Sequence, residues 1–224
     1  MNINTYYDSQ KDVLLHPFTN SNLVQRTYSQ AYQDLFVLTV LDGKKDGTYV
    51  EIGSNHPSIA SNTFILEKIF NWKGVSFDID EELSREFKIQ RRNPVIVGDA
   101  TVADYSGIFQ QYGLPVNPTR IDYLQVDIEP AEQTFAALKA IDLNLYKFSV
   151  ITFETDVYAG GGNSKVAEQS REYLQSYGYQ LVAQDVMNGG NSFEDWYVDP
   201  SVVPEERWKP FESQSVECVE LFIQ

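Results

Sequence analysis

A chain of 224 residues is long enough for one α/β domain with a full core. It holds 17 Lys and Arg against 32 Asp and Glu, a formal charge of −15, and this argues against nucleic-acid binding, because neutralising phosphates needs clustered cations. One cysteine, Cys218, rules out a disulfide framework within the chain, and no apolar run reaches membrane-spanning length. Residues 1–12 are too polar for a signal peptide, so a cytoplasmic location is expected. The basic doublets Lys44-Lys45 and Arg91-Arg92 read as solvated surface.

Residues 1–28 are polar and aromatic with weak periodicity and read as an N-terminal arm or cap. Ser29 is placed to cap a helix that carries Tyr32, Leu35, Phe36 and Val40 on one face. Asp42-Gly43 ends it. The first strand is Thr48–Ile52, closed by the turn glycine Gly53. Ser61 reads as the cap of a helix bearing Ile65, Leu66, Ile69 and Phe70. The second strand is Val75–Asp80, followed by a charged helix over 81–91, and the third is Val95–Val97. Thr101–Arg120 reads as irregular, broken by Gly113, Pro115 and Pro118. The fourth strand is Tyr123–Ile128, and Pro130 suits the first turn of the helix after it. The fifth strand is Phe148–Phe153. The triplet Gly160-Gly161-Gly162 reads as a mobile loop, since the Gly-Lys-Ser/Thr phosphate signature is missing. A further helix, a sixth strand over Tyr179–Val186, a polar and aromatic excursion over 188–215 and a last strand over Val216–Ile223 complete the chain. Alternating strands and helices imply a mainly parallel sheet covered on both faces, with the last strand antiparallel. No repeat or linker divides the chain, so one domain is expected over 1–224.

Five consecutive strands carry acids near their ends: Glu51, Asp78 with Asp80, Asp99, Asp127 with Glu129, and Glu154 with Asp156. In a parallel sheet these ends share the ligand-binding edge. Glu51 has two readings. It is either a hydrogen-bonded structural carboxylate near a strand end or a site residue. An acid at the end of the second strand suits the two hydroxyls of a ribose. The turn Gly53-Ser54-Asn55-His56-Pro57 lacks the repeated glycines that admit a pyrophosphate. A nucleoside cofactor without one fits better, and the sulfonium of S-adenosylmethionine would tolerate the acids.

The chain resembles the FkbM family of S-adenosylmethionine-dependent methyltransferases. The matching pieces are Ser29-Gln30 with Gln33-Asp34, Tyr49-Val50-Glu51-Ile52-Gly53, Ser61-Asn62-Thr63, Trp72-Lys73-Gly74, Asp99-Ala100, Asp127-Ile128-Glu129 and Ile151-Thr152-Phe153-Glu154. They span roughly Ser29 to Val186. Two positions depart from the pattern: Phe77-Asp78-Ile79-Asp80 stands where many members have a Glu-Pro pair, and Pro130 where many have Gly. The resemblance implies a Rossmann-like class I methyltransferase fold, here with a mostly parallel seven-stranded sheet, an antiparallel last strand and helices on both faces. It further implies that Glu51, Gly53 and Ser54 line the methionine and ribose side of the cofactor. Asp78, favoured over Asp80, would take the ribose hydroxyls. Asp99 and Ala100 would contact adenine, and Gln30 and Asn62 the methionine carboxylate or amine. Asp127 would sit nearest the reacting methyl. The family commonly methylates hydroxyls on sugars or sugar-bearing metabolites, which needs a general base. Asp127, Glu129 and Glu154 are the candidates, with Asp156 behind them and His56 outside. Related enzymes hold a divalent ion at the ends of strands four and five, where Asp127 and Glu154 offer hard oxygens. A site without metal is the equal alternative. Trp196, Tyr197 and Trp208 in the excursion suit either a sugar face or a packed lid.

The expected activity is therefore O-methyl transfer to a small-molecule, sugar or glycan acceptor. A non-catalytic cofactor-binding module and a nucleotide-sugar or NAD-type enzyme are the alternatives. Because the chain ends on its last expected strand, it could also be one domain of a longer polypeptide, with a glycosyltransferase as partner.

Overall fold

Tyr49, Val50 and Ile52 favour extended backbone, and they place β1 at Thr48–Ile52 in the middle of the sheet. The structure is a computed structural model and describes residues 7–224. The first six residues of the expected arm lie outside the described residues. Along the chain, α1 (Gln33–Val40) precedes β1, and α2 (Phe64–Lys68), β2 (Lys73–Asp78), α3 (Glu81–Gln90) and β3 (Val95–Val97) follow. Next come α4 (Tyr105–Gln111), β4 (Arg120–Val126), α5 (Ala131–Ala140), β5 (Lys147–Glu154) and α6 (Asn163–Ser176). The chain closes with β6 (Gln180–Asn188), β7 (Asn191–Val198), α7 (Glu205–Trp208) and the two-residue β8 (Ser213–Gln214).

The eight strands lie in the order β3-β2-β1-β4-β5-β7-β6-β8. Strands β1 to β5 are parallel, and β7 runs antiparallel between β5 and β6. The strand order therefore reverses between β1 and β4, and the carboxyl ends of those two strands open a crevice there. Apolar side chains fill both faces. One layer gathers α1, α2, the 7–24 segment and the C-terminal region around Trp196 and Phe211. The other gathers α4, α5 and α6 over Val50, Leu124 and Ile151.

The antiparallel strand is not the last one expected. It is β7, inside the stretch read as an excursion. Val216–Ile223 instead holds a 3-10 turn at Cys218–Leu221 and two isolated bridges, Met187 with Glu217 and Leu14 with Ile223. Glu194 and Asp195 obscured β7 in the sequence, because acids beside aromatics read as a polar excursion. Both are buried, and both are hydrogen-bonded: Glu194 by Gln33, Asp195 by Arg171. Trp196 and Tyr197 are fully buried and Trp208 nearly so, so these rings pack into the core and do not form a sugar face. The 101–120 stretch contains α4, whose start is capped by Asp104 accepting from the Gly107 amide. Ser29 and Ser61 are not caps. Tyr32 and Thr63 occupy those positions, while Ser29 donates to Asp34 and Ser61 accepts from Arg91. Pro130 sits one step earlier than expected, at the N-cap of α5.

The largest departure is Arg91, which is buried and not solvated. Its guanidinium donates to Glu67 (3.0 Å), the Pro57 carbonyl (3.0 Å), Thr63 (2.9 Å), Tyr49 (3.2 Å) and Ser61 (3.3 Å). One cation thus ties β1, α2, the loop after β1 and the end of α3 together. Burial works against the Glu67 charge, but Arg91 together with the Arg92 and Asn93 amides outweighs it and holds the carboxyl below its usual range. Arg91→Met would leave Glu67 buried with only the partly exposed Lys68 ammonium, at 3.5 Å, as counter-ion. The expected loss is about 3–5 kcal/mol, read from the urea midpoint, and Arg91→Met with Glu67→Leu should recover much of it.

Candidate active site

A cavity of about 900 Å³ opens along the carboxyl ends of the strands. Its size is that of a small-molecule site. Gly53 forms its floor. With φ at 85°, Gly53 lies so close to β4 that an added Cβ would stand 1.6 Å from the Asp127 carbonyl oxygen. Only glycine allows that approach. The Gly53 amide donates to Phe77 and the Asp127 amide to Ile52, both at 2.9 Å, which joins the ends of β1, β2 and β4.

At one end of the cavity lie Asn55, Asp78, Ile79, Leu83, Asp99 and Ala100. Asp78 ends β2 and is held by the backbone amides of Asn55 (2.6 Å) and Asp80 (2.8 Å). Asp80 does not line the cavity. It caps α3, accepting from the Glu82 and Leu83 amides at 2.7 and 2.9 Å. Asp99 accepts from the Thr101 hydroxyl and amide, and these bonds hold its carboxyl below the usual range.

At the other end lie Gln30, Asp127, Glu129, Glu154 and Tyr158. Val126 of β4 is level with Phe153 of β5, so Asp127 and Glu154 are the next neighbours outward. The two carboxyls act on each other. Burial, then the Asp127 charge, pushes the Glu154 carboxyl far above its usual range. Burial also raises Asp127, against the hydrogen bond from Glu154. Two carboxyls in contact inside a buried site share one proton and titrate as a pair. Asp156 is pushed up to about 6 by burial and by the charges of Asp127 and Glu129.

Three of the expected cofactor residues do not line the cavity. Glu51 is buried behind it and accepts from Thr63 (2.7 Å) and Ser76 (2.6 Å), so it takes the structural role. Burial pushes its carboxyl up, against the pull of Arg91 and those hydroxyls. Ser54 is buried, its amide on the Phe77 carbonyl. Asn62 is buried too, and its Oδ1 has no partner among the described residues. His56 is also outside the cavity. Its Nδ1 accepts from the Ser58 and Ile59 amides, which makes it a loop brace. Asp127 and Glu154 offer two carboxylates, and no cluster of three or more His, Cys, Asp or Glu arranged for a metal occurs among the described residues.

Sequence reasoning missed Gln133, Tyr158, Asn188 and Asn191, which line the cavity, and Glu194 behind it. Asn188-Gly189-Gly190-Asn191 between two strand patterns was a readable hairpin signal. Glu194 is level with Glu154 on β7 and accepts from Gln33 Nε2 (3.0 Å) and the Trp196 indole.

No family model matches the chain, and no curated protein sequence matches it. Solved structures do. A Clostridium thermocellum protein provisionally described as an rRNA methylase is 17% identical, with 74% of this chain and 92% of that one covered and a TM-score of 0.50. Aeropyrum pernix fibrillarin, solved with natively bound S-adenosyl-L-methionine, is 16% identical over 76% and 74% of the two chains, with a TM-score of 0.49. An O-methyltransferase from Bacillus cereus, solved with S-adenosylhomocysteine, is 16% identical over 80% and 85%, with a TM-score of 0.45. Together with the strand order, the first of these defines the fold as the Rossmann-like methyltransferase fold.

Burial pushes the Glu194 carboxyl up to about 8, against the bonds from Gln33 and Trp196. The folded state then keeps a proton that the unfolded chain has lost, so Glu194 lowers stability progressively as pH rises from about 4.5 towards 8. Removing that carboxylate relieves the cost only where it would be ionised. The melting temperature of Glu194→Gln should therefore gain on wild type between about pH 5 and about pH 8.5, and a constant difference would contradict this.

Proposed function

We propose that the chain is an S-adenosylmethionine-dependent O-methyltransferase acting on a hydroxyl of a sugar, glycan or sugar-bearing metabolite. The carrying observation is one cavity that spans the β1/β4 crevice, with Asp78 at one end and the Asp127–Glu154 pair at the other. The residues present fit the cofactor. Gly53 lets the ends of β1 and β4 meet at the cavity, and Asp78 offers an acceptor carboxylate where a ribose is expected. Gly53, Asp78, Asp99 and Ala100 would hold the adenosine part, and Gln30 the methionine part. When bound, S-adenosylmethionine supplies an electrophilic methyl group.

The chain's own residues supply position and a base. An alcohol becomes a competent nucleophile as its proton leaves. Within the pair, Glu154 keeps the shared proton and Asp127 presents the open carboxylate to the acceptor hydroxyl. Burial raises Asp127, which makes it a stronger base than a surface carboxylate. Glu129 is the second candidate from the same strand end. Holding the hydroxyl in line removes much of the entropic barrier. Within this reading the chain falls in the FkbM family, whose motifs it carries, and a glycosyltransferase is a fitting partner for an enzyme that finishes a glycan.

Titration calorimetry tests the cofactor. Wild type should bind S-adenosylmethionine and S-adenosylhomocysteine saturably. Asp78→Ala should weaken both by about tenfold or more, the worth of a charge-assisted hydrogen bond to each ribose hydroxyl. Silence at millimolar ligand, with heat from NAD or a nucleotide sugar, would move the site to the pyrophosphate cofactors.

A further inference from the structure

The hairpin between β6 and β7 reaches the cavity and is used by neither the cofactor reading nor the proton transfer. Asn188, Gly189 and Asn191 line the wall there, joined by Gln133 from α5 and by Tyr158. The turn is Gly189-Gly190, with both residues at positive φ (61° and 82°), as a two-residue hairpin requires. Its tip is fixed on two sides. Glu217 accepts from the Gly189 amide (2.9 Å) through one carboxylate oxygen and from the Gly190 amide (2.6 Å) through the other. The Asn188 side-chain amide donates to the Gln30 carbonyl at 3.2 Å.

We infer that this hairpin tip is the acceptor-reading wall of the cavity, that Glu217 is the residue that positions it, and that it takes a neutral polyhydroxylated ligand in preference to a phosphorylated one. This rests on the methyltransferase reading of the same cavity. Position supports the first part. From β2, which carries Asp78, to β7 is four strand steps, about 19 Å at the usual interstrand spacing. Asp127, just past the end of β4, lies halfway. The hairpin is therefore on the far side of the base from the ribose acid, where the acceptor has to enter.

Chemistry supports the ligand class. A side-chain amide both donates and accepts, as a hydroxyl does, and Gln133, Asn188 and Asn191 present such groups. Tyr158 is nearly half exposed and adds a ring face. No Lys, Arg or His lines the cavity among the described residues, whereas Asp127, Glu129 and Glu154 do. A phosphate there would meet like charge and find no cation. Glu217 does not line the cavity. It acts through the hairpin, because two charge-assisted bonds to successive amides hold a glycine turn that is otherwise free to sway.

The test uses the full chain with saturating S-adenosylhomocysteine and ligand-observed NMR. The probes are neutral methyl glycosides (gluco, galacto and rhamno) and the matching sugar phosphates. Neutral glycosides should bind more tightly than the phosphates. Asn191→Ala should weaken them about tenfold and leave S-adenosylhomocysteine affinity within about twofold. Glu217→Ala should weaken them several-fold and speed amide exchange at Gly189 and Gly190, and Glu217→Gln should restore part of both. A Glu217 role in general stability would instead lower the melting temperature and cofactor affinity together. Loss of S-adenosylhomocysteine binding in wild type overturns the cofactor reading. Cofactor binding with no glycoside binding, tighter phosphate binding, or glycoside affinity indifferent to both sites overturns the wall.

Discussion

A full positive charge buried at Arg91 is the constraint that the β1–α2 half of this protein is built around. Bringing a guanidinium out of water costs several kcal/mol unless its hydrogen atoms find acceptors. Here Glu67, Thr63, Tyr49, Ser61 and the Pro57 carbonyl supply them. Those partners lie on β1, on α2 and its approach, and on the loop between them. The ion pair therefore sets the position of the segment over which the cavity opens. Glu51 belongs to the same interior network through Thr63, which explains a carboxylate in the middle of an apolar strand without giving it a ligand.

The second organising feature is the contact of Gly53 with the Asp127 carbonyl. It brings the ends of β1 and β4 together where the strand order reverses. Acids that are distant in the chain then line one cavity in two groups. Asp78 and Asp99 face one end, well supplied with backbone and hydroxyl donors. Asp127 and Glu154 face the other, and Glu154 Oε2 is left without a donor among the described residues. The first arrangement holds the Asp99 carboxyl below its usual range. The second favours proton sharing. Environment, and not residue type, separates the two roles.

Much of this was legible in the chain. Strand periodicity located β1 and β3 at their observed bounds and four further parallel-running strands to within a few residues. The acids at the strand ends gather at one edge of the sheet, and Gln30, Gly53, Asp78, Asp99, Ala100, Asp127, Glu129 and Glu154 line the cavity there. The errors share a cause. Arg91, Glu194 and Asp195 are charged residues with buried partners far away in sequence, so composition placed them in water. Glu51, Ser54 and Asn62 sit in motifs beside the cavity but turn away from it, and a linear motif does not show which way a side chain points.

The sequence by itself determined the alternation of strands and helices, the glycine that lets β1 meet β4, and the line of acids at the strand ends. These are local facts, written in the period of apolar residues and the spacing of turn residues. Only the tertiary structure decided which acids face the cavity and which stay buried, that the antiparallel strand is β7 and not the last segment, and that an amide-bearing hairpin closes the far wall. Those outcomes depend on partners more than twenty residues apart: Arg91 with Glu67, Glu194 with Gln33, Glu217 with Gly189. A carboxylate's role follows from the donors that surround it, and folding alone brings those donors near.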